Sequence, residues 1–234
     1  MEASAIWTPD GERIIFTVAQ PNRNSLSLHW MAADGSSPME RLTSTDYLHM
    51  PATVSPDGSL LVFTELHPDT GADIWIRTLS GEGAPRLFLR TPFDEHGASL
   101  SPDGRLIAYV SNESGNKEVY VERFPEGGEK VTISTGGARD PVWSKDGREL
   151  FFHWNDTMVA AEIASSEPFT VGRVEPLFEY TLTLLPHGRA SYDVTRDGRF
   201  IMAERVGGES SVHEFQVITN LFPLLEDRVP INSQ

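Results

Sequence analysis

One short motif returns five times along the chain at nearly constant intervals. In each copy an Asp-Gly pair follows a short apolar segment, and the glycines are Gly11, Gly58, Gly104, Gly147 and Gly198. Successive copies are 47, 46, 43 and 51 residues apart. An interval of about 40–50 residues is typical of one four-stranded blade of a β-propeller. The repeat therefore predicts a series of similar antiparallel sheets.

The residues around the Asp-Gly pair repeat as well. A large apolar residue stands four positions before each glycine: Trp7, Val54, Leu100, Trp143 and Val194. Another apolar residue stands three positions after it: Ile14, Leu61, Ile107, Leu150 and Ile201. In four copies an aromatic residue follows two positions later, on the same face of a strand, because side chains alternate with period two. The pattern predicts a buried face, with Trp7 and Trp143 in the core.

The motif itself predicts a structural turn. In Ser55-Pro56-Asp57-Gly58, proline presets φ for the second turn position and glycine accepts the left-handed conformation. We therefore expect no catalytic role for the repeated aspartates.

The predicted fold class is all-β, a β-propeller of about five four-stranded blades that can be the C-terminal part of a larger propeller. A blade cannot bury both of its apolar faces alone, so neighbours must stack on it. We accordingly expect a single propeller domain over residues 1–234. Its predicted blades span about 1–45, 46–92, 93–136, 137–183 and 184–234.

The two ends of the repeat predict an incomplete ring. The last glycine is followed by two predicted strands, at about 199–204 and 211–219, and by a tail with one or two helical turns at about 220–227. A fourth strand for the last blade is not evident, and an unpaired strand edge invites pairing with another chain. We expect a last blade that is three-stranded or capped by the tail at about 221–225, and a ring closure that is either imperfect or assisted by self-association through incomplete blade edges. A long outer connection is predicted at Ser165–Arg173.

Composition excludes several partners and chemistries. The net charge is −15, from 34 acidic and 19 basic residues, which disfavours nucleic acid and anionic membranes as partners. The chain has no cysteine, which excludes disulfides, thiolate metal sites and cysteine nucleophiles. We expect no direct membrane insertion, because no apolar run is long enough, and we expect residues 1–20 not to form a signal peptide, because charged residues interrupt their apolar stretch.

Catalytic and cofactor motifs are lacking in the sequence. There is no Gly-x-Ser-x-Gly elbow, no Walker motif and no kinase motif, and the seven histidines form no His-x3-His pair. We expect no metal and no cofactor, and the question of enzymatic activity stays open with a non-catalytic role favoured.

Polar and titratable residues gather before the innermost strand of several predicted blades. Loops entering these strands lie at the mouth of the central channel, where such groups can converge on a ligand. The candidate ligand-binding residues are Asp46, His49, Asp94, Glu95, His96, Arg139, Asp140, His187 and Arg189. The alternative is a hydrated channel rim without a ligand. A third interpretation is a hydrolase that uses Asp94, Glu95 or His96, because carboxylates near this mouth can serve glycosidase chemistry.

The repeated unit is similar to a known family. The segments at 55–63 and 101–111, with Ser-Pro-Asp-Gly followed by an apolar strand, resemble the WD-like propeller repeat of TolB and its relatives. The segment Ser191–Arg228 is similar to the closing segment of propellers at the C-termini of bacterial serine/threonine protein kinases. That closing segment commonly carries Asn-Trp, where this chain has Asn220 and Leu221.

The resemblance implies a non-catalytic module that binds or senses a protein or small ligand within a larger bacterial signalling protein. It also implies a periplasmic or extracytoplasmic location. The alternative function is a hydrolase, glycosidase- or lactonase-like, with its site at the channel mouth.

Overall fold

The computed structural model describes residues 4–19, 26–81, 83–180, 190 and 192–202, and every regular element in these ranges is a β-strand. No helix in the described ranges is long and apolar enough to cross a membrane. The all-β prediction is confirmed.

The first two sheets are antiparallel and follow each other directly. The first contains β1 (Ala5–Trp7), β2 (Arg13–Ala19), β3 (Leu26–Ala32) and β4 (Glu40–Arg41). The second contains β5 (Leu48–Val54), β6 (Leu60–His67), β7 (Gly71–Thr78) and β8 (Arg86–Leu89). A single parallel bridge between Leu26 and Leu48 joins the two sheets.

The later sheets repeat this order. The third contains β9 (Glu95–Leu100), β10 (Leu106–Ser111), β11 (Glu118–Arg123) and β12 (Val131–Thr132). The fourth contains β13 (Ala138–Trp143), β14 (Glu149–Trp154), β15 (Thr157–Ser166) and β16 (Phe169–Glu179). The fifth has β17 (Tyr192–Val194) and β18 (Phe200–Met202) within the described residues. Each sheet lies within one of the five predicted blade intervals.

The repeated motif closes the hairpin between the first two strands of each sheet. In the second sheet the Ser55 hydroxyl donates to Asp57 Oδ1 at 2.5 Å and accepts from the Leu60 amide at 2.9 Å. Asp57 Oδ1 also accepts from the Ser59 amide at 3.0 Å, and Gly58 takes φ of 73°. These bonds satisfy the hairpin locally, which confirms that the motif is a structural turn.

The core lies between successive sheets. We call the leading face the side of a sheet that is turned towards the preceding sheet. In the second sheet this face carries Val54, Leu61 and Phe63, which pack against Ile15 and Leu28 of the first. The same repeat positions are buried in the third and fourth sheets: Leu100, Ile107 and Tyr109, and Trp143, Leu150 and Phe152. Sheet-on-sheet packing of one repeated face thus builds the core.

The prediction that Trp7 lies in the core is wrong. Trp7 is 54% exposed, whereas Trp143 at the same repeat position is 3% exposed. Strand β1 packs against β2 and β5. No described strand covers the leading face of the first sheet, so an identical motif residue remains in solvent there.

The fifth hairpin has a different register from the others. Val194 pairs with Phe200, six residues later, whereas Trp143 pairs with Leu150, seven residues later. A shift of one residue moves following side chains to the opposite face. Ile201, which the repeat places on the core face, is therefore 63% exposed, and Phe200 packs against the fourth sheet instead.

The predicted outer connection at Ser165–Arg173 is mostly strand. β15 and β16 extend towards each other until only Glu167 and Pro168 separate them. The predicted strand at about 211–219, the tail and the resulting expectations about ring closure lie outside the described residues.

Candidate functional site

The structure describes seven of the nine candidate residues. His187 and Arg189 lie outside the described residues. The seven divide into an exposed residue, a buried network between the second and third sheets, and a cluster at the junction of the third and fourth sheets. Asp46 is the exposed one.

His49 lies in the buried network and tethers the connection between the first two sheets. It is 3% exposed; its Nε2 lies 2.7 Å from Glu65 Oε2 and its Nδ1 lies 2.9 Å from the Thr43 hydroxyl. The same hydroxyl accepts from the Leu28 amide at 2.9 Å. Burial lowers the pKa of His49, although Glu65 opposes the shift. A neutral imidazole that donates from Nε2 and accepts at Nδ1 satisfies all three bonds.

Two carboxylates beside this pair are fully buried. Asp73 Oδ2 accepts from Arg90 Nε and from the Thr70 hydroxyl, both at 2.8 Å, and Arg90 also reaches Glu65 at 3.2 Å. Glu95 is 0% exposed and accepts from the Thr91 hydroxyl. Burial raises the pKa of Glu95, and the charge of Asp73 adds to the shift. These groups stabilise the contact between sheets and are closed to a ligand.

Asp94 orders the loop in front of β9. Its Oδ1 accepts from the Ala72 amide at 3.1 Å, and its own amide donates to Asn112 Oδ1 at 3.0 Å. A Cβ at Gly71 would collide with Asp94 Oδ1, and Gly71 takes φ of 85°. Glycine at this position lets the carboxylate of Asp94 approach the second sheet closely.

His96 lies where β9 meets the fourth sheet. Burial, and next the charge of Lys117, lower the pKa of His96 to about 4, with Arg139 adding to the shift and Asp94 opposing it. Its Nδ1 is buried without a hydrogen-bond partner among the described residues. The imidazole is therefore neutral at physiological pH and has a free hydrogen-bonding atom.

Lys117 was not predicted from the sequence. It stands just before β11, and its carbonyl accepts from the Ala138 amide at 2.6 Å, which brings it beside Arg139 on β13. Neither Lys117 nor Arg139 forms an ion pair or a side-chain hydrogen bond with a described residue. Since 22 positions separate them, only the packing of two sheets brings these two cations together.

Asp140 has a left-handed backbone. Its φ is 58°, at an irregularity in the pairing of β13 between Arg139 and Val142. It is 6% exposed, and burial raises its pKa to about 6 against the opposing charges of Arg139 and Lys117. Its carbonyl accepts from the Tyr192 hydroxyl at 2.8 Å, a bond to the fifth sheet. We call His96, Lys117, Arg139 and Asp140 the rim cluster.

A cavity of about 420 Å³ runs along the innermost strands of the second to fifth sheets. Among its lining residues are Thr64, Trp143, Tyr192 and, near the turns, the ion pair of Lys145 with Asp193 at 3.0 Å. None of the seven described candidates lines it, so they stand at the strand starts and not along the cavity wall. In the described ranges no group of three or more His, Cys, Asp or Glu side chains could hold a metal ion.

Each sheet repeats the same hairpin and packs its leading face against the sheet before it. This arrangement is that of a β-propeller. The family model of the TolB beta propeller domain matches residues 1–172. The chain belongs to this family, which confirms the predicted fold class and the TolB resemblance.

The curated relatives extend the comparison. Tricorn protease homolog 1 of Streptomyces coelicolor is 33% identical over 106 residues, which are 44% of this chain and 9% of that protein. Uncharacterized protein Atu1656 of Agrobacterium fabrum is 26% identical over 156 residues, 64% of this chain and 50% of that protein. The chain thus spans half or less of the length of these relatives.

Solved structures share the fold. TolB from Acinetobacter baumannii superposes with a TM-score of 0.70 at 21% identity, over 88% of this chain and 49% of that one. A puromycin-hydrolyzing peptidase of Mycobacterium tuberculosis gives 0.62 at 19% identity, over 86% of this chain and 34% of that one. At these identities the likeness concerns the fold alone.

Proposed function

We propose that this chain is a non-catalytic binding and sensing module that takes a protein or small ligand at the rim of its channel. The observation that supports the proposal is the rim cluster, where Asp140 is buried on β13 and Lys117 lies beside the start of the same strand, next to Arg139. A few convergent polar groups in a concave mouth are what orient a ligand. Asp46, Asp94, His187 and Arg189 remain proposed contributors around this cluster.

The competing interpretation is a hydrolase with a glycosidase- or lactonase-like reaction. Glu95 would be its acid or base, but Glu95 is 0% exposed and is held by Thr91. A general acid must reach the proton that it transfers. Asp94, the next candidate, is already engaged by Ala72 and Asn112. These contacts favour binding over turnover.

We further propose that the module serves a larger bacterial signalling protein, in a periplasmic or extracytoplasmic setting. The support is the similarity of Ser191–Arg228 to the closing segment of kinase-associated propellers. This chain spans half or less of the length of its curated relatives, and this partial coverage supports the proposal of a module within a larger protein.

A thermal-shift panel of charged small molecules and short peptides tests the proposal. A ligand at a hundred times its Kd should raise Tm by roughly 5–10 °C. The shift should be lost in Arg139→Gln and kept in Arg148→Gln, an arginine on an exposed turn of the same sheet.

A parallel screen for glycosidase, lactonase and peptidase turnover completes the test. Robust turnover that Glu95→Gln abolishes would overturn the proposal. So would a panel in which no compound shifts Tm, or one in which every shift persists in Arg139→Gln.

A further inference from the structure

The rim cluster contains charges of both signs in one place, and no described residue pairs with them. We propose that it binds a small zwitterionic ligand of the α-amino acid type. Asp140 ion-pairs with the ammonium group of the ligand, and Arg139 and Lys117 pair with its carboxylate. This inference rests on the proposed binding function and names its ligand class.

Asp140 occupies a backbone position that glycine serves elsewhere. Seven residues before the turn glycine, the third sheet has Gly97 with φ of 66°, and the fourth has Asp140 with φ of 58°. A non-glycine residue in the left-handed region is strained, and such residues concentrate at binding sites. The third sheet shows that the bulge forms without a side chain, so the bulge itself does not require the carboxylate.

The carboxylate of Asp140 lacks a partner. The residue is 6% exposed, yet among the described residues its side chain accepts no hydrogen bond. The bond from Tyr192 goes to its main-chain carbonyl. Its carboxylate oxygens are not fully enclosed, so a ligand ammonium group can reach them and form an ion pair.

The two cations also lack partners. The Lys117 carbonyl accepts from the Ala138 amide at 2.6 Å, which places Lys117 beside the start of β13, where Arg139 and Asp140 lie. Neither cation has a carboxylate oxygen of a described residue within 4.0 Å. Lys117 is exposed and Arg139 is half-buried, so both cations are open to a ligand. Together they form a local anion site.

The mixture of charges selects the ligand. A simple anion would be repelled by Asp140, and a simple cation would be repelled by Arg139 and Lys117, so only a dipolar ligand is favoured by every group. The neutral imidazole of His96, with its unpartnered Nδ1, supplies one more hydrogen bond without adding charge.

Isothermal titration at pH 7.5 with a panel of free L-amino acids, which includes L-leucine, L-serine and L-glutamate, tests the inference. For the best binder, the N-acetyl derivative removes the ammonium charge and the amide derivative removes the carboxylate. We expect each blocked form to bind at least ten-fold more weakly. Equal binding of either derivative, or no binding of any free amino acid, overturns the zwitterion.

Variants connect the ligand to the cluster. Asp140→Gly fits the left-handed backbone, so we expect an unchanged or higher Tm together with at least ten-fold weaker binding. Asp140→Asn and Arg139→Gln should weaken binding as much, while Arg148→Gln should not. Wild-type affinity in Asp140→Gly would overturn the assignment.

The two proposals fail separately. If amino acids do not bind but another compound of the thermal-shift panel does, in a manner lost in Arg139→Gln, the zwitterion is wrong and the binding function stands. If nothing in either panel binds, both are wrong.

Discussion

The imidazole of His49 on β5 and the carboxylate of Glu65 on β6 lie 2.7 Å apart and are both buried. Through Thr43 on one side and Arg90 on the other, this pair ties the connection from the first sheet to the interface with the third. His49, which the sequence predicts at the channel mouth, therefore stabilises the fold. Removal of its partners should lower the free energy of unfolding.

Arg90 is the counterion of this network, because it contacts both Glu65 and Asp73. We expect Arg90→Met to reduce the free energy of unfolding by about 3–5 kcal/mol, since two buried carboxylates lose their cation. The control is Arg123→Met, which breaks an exposed pair with Glu167 and should cost less than about 1 kcal/mol. Urea unfolding measures the free energy of unfolding of both variants. Equal losses in the two variants would show that Arg90 is not the counterion of the buried network.

Asp140 and His96 should give opposite pH dependences of stability. Between its ordinary value of 3.8 and about 6, Asp140 binds more protons in the folded state, so stability falls as pH rises. Between about 4 and its ordinary value of 6.5, His96 binds fewer protons in the folded state, so stability rises with pH.

The two slopes oppose each other in the wild-type chain and separate in single variants. From pH 4.5 to 6, Asp140→Asn should make the slope of the unfolding free energy against pH more positive, by up to about 1.4 kcal/mol per unit. His96→Gln should make it more negative by a similar amount. Urea unfolding at three pH values measures both, and slopes that match the wild type in either variant would refute the assignment.

Trp7 and Trp143 provide a matched pair at one repeat position. Trp143→Ala should cost about 3–5 kcal/mol, because the ring is buried and its Nε1 donates to the Ser99 carbonyl at 3.0 Å. Trp7→Ala should cost less than about 1 kcal/mol, since 54% of the residue is exposed. Comparable losses of unfolding free energy would show that the first leading face is covered in solution.

The Ser101 hydroxyl in the turn of the third sheet stabilises the fold by accepting a hydrogen bond from a buried amide. Ser101 accepts from the Leu106 amide at 3.0 Å, so Ser101→Ala should cost about 1–3 kcal/mol by leaving that N–H unsatisfied. Ser114→Ala, at an exposed hydroxyl that donates to the Asn116 carbonyl, serves as the control and should stay within about 0.5 kcal/mol. Thermal denaturation followed by circular dichroism measures the difference in stability. An unchanged stability of Ser101→Ala would show that this hydrogen bond does not stabilise the fold.

Interactions that are local in the chain were predictable from the sequence. The Ser-x-Asp-Gly hairpin is closed by bonds between residues two to five positions apart, as for Ser55, Asp57 and Leu60. The period-two apolar pattern then predicts strands and a buried face. Both follow from backbone geometry and neighbouring side chains, so the repeat alone predicted an all-β propeller.

Only the tertiary structure decided which of the predicted residues are accessible. Trp7 and Trp143 have the same local motif, and their exposure differs because a neighbouring sheet covers one of them. Glu95 is buried on β9, which packs against the second sheet, and Lys117 meets Arg139 through packing of the third sheet on the fourth. Contacts between sheets join residues that are far apart in the chain. A motif that is the same in every blade does not predict these contacts.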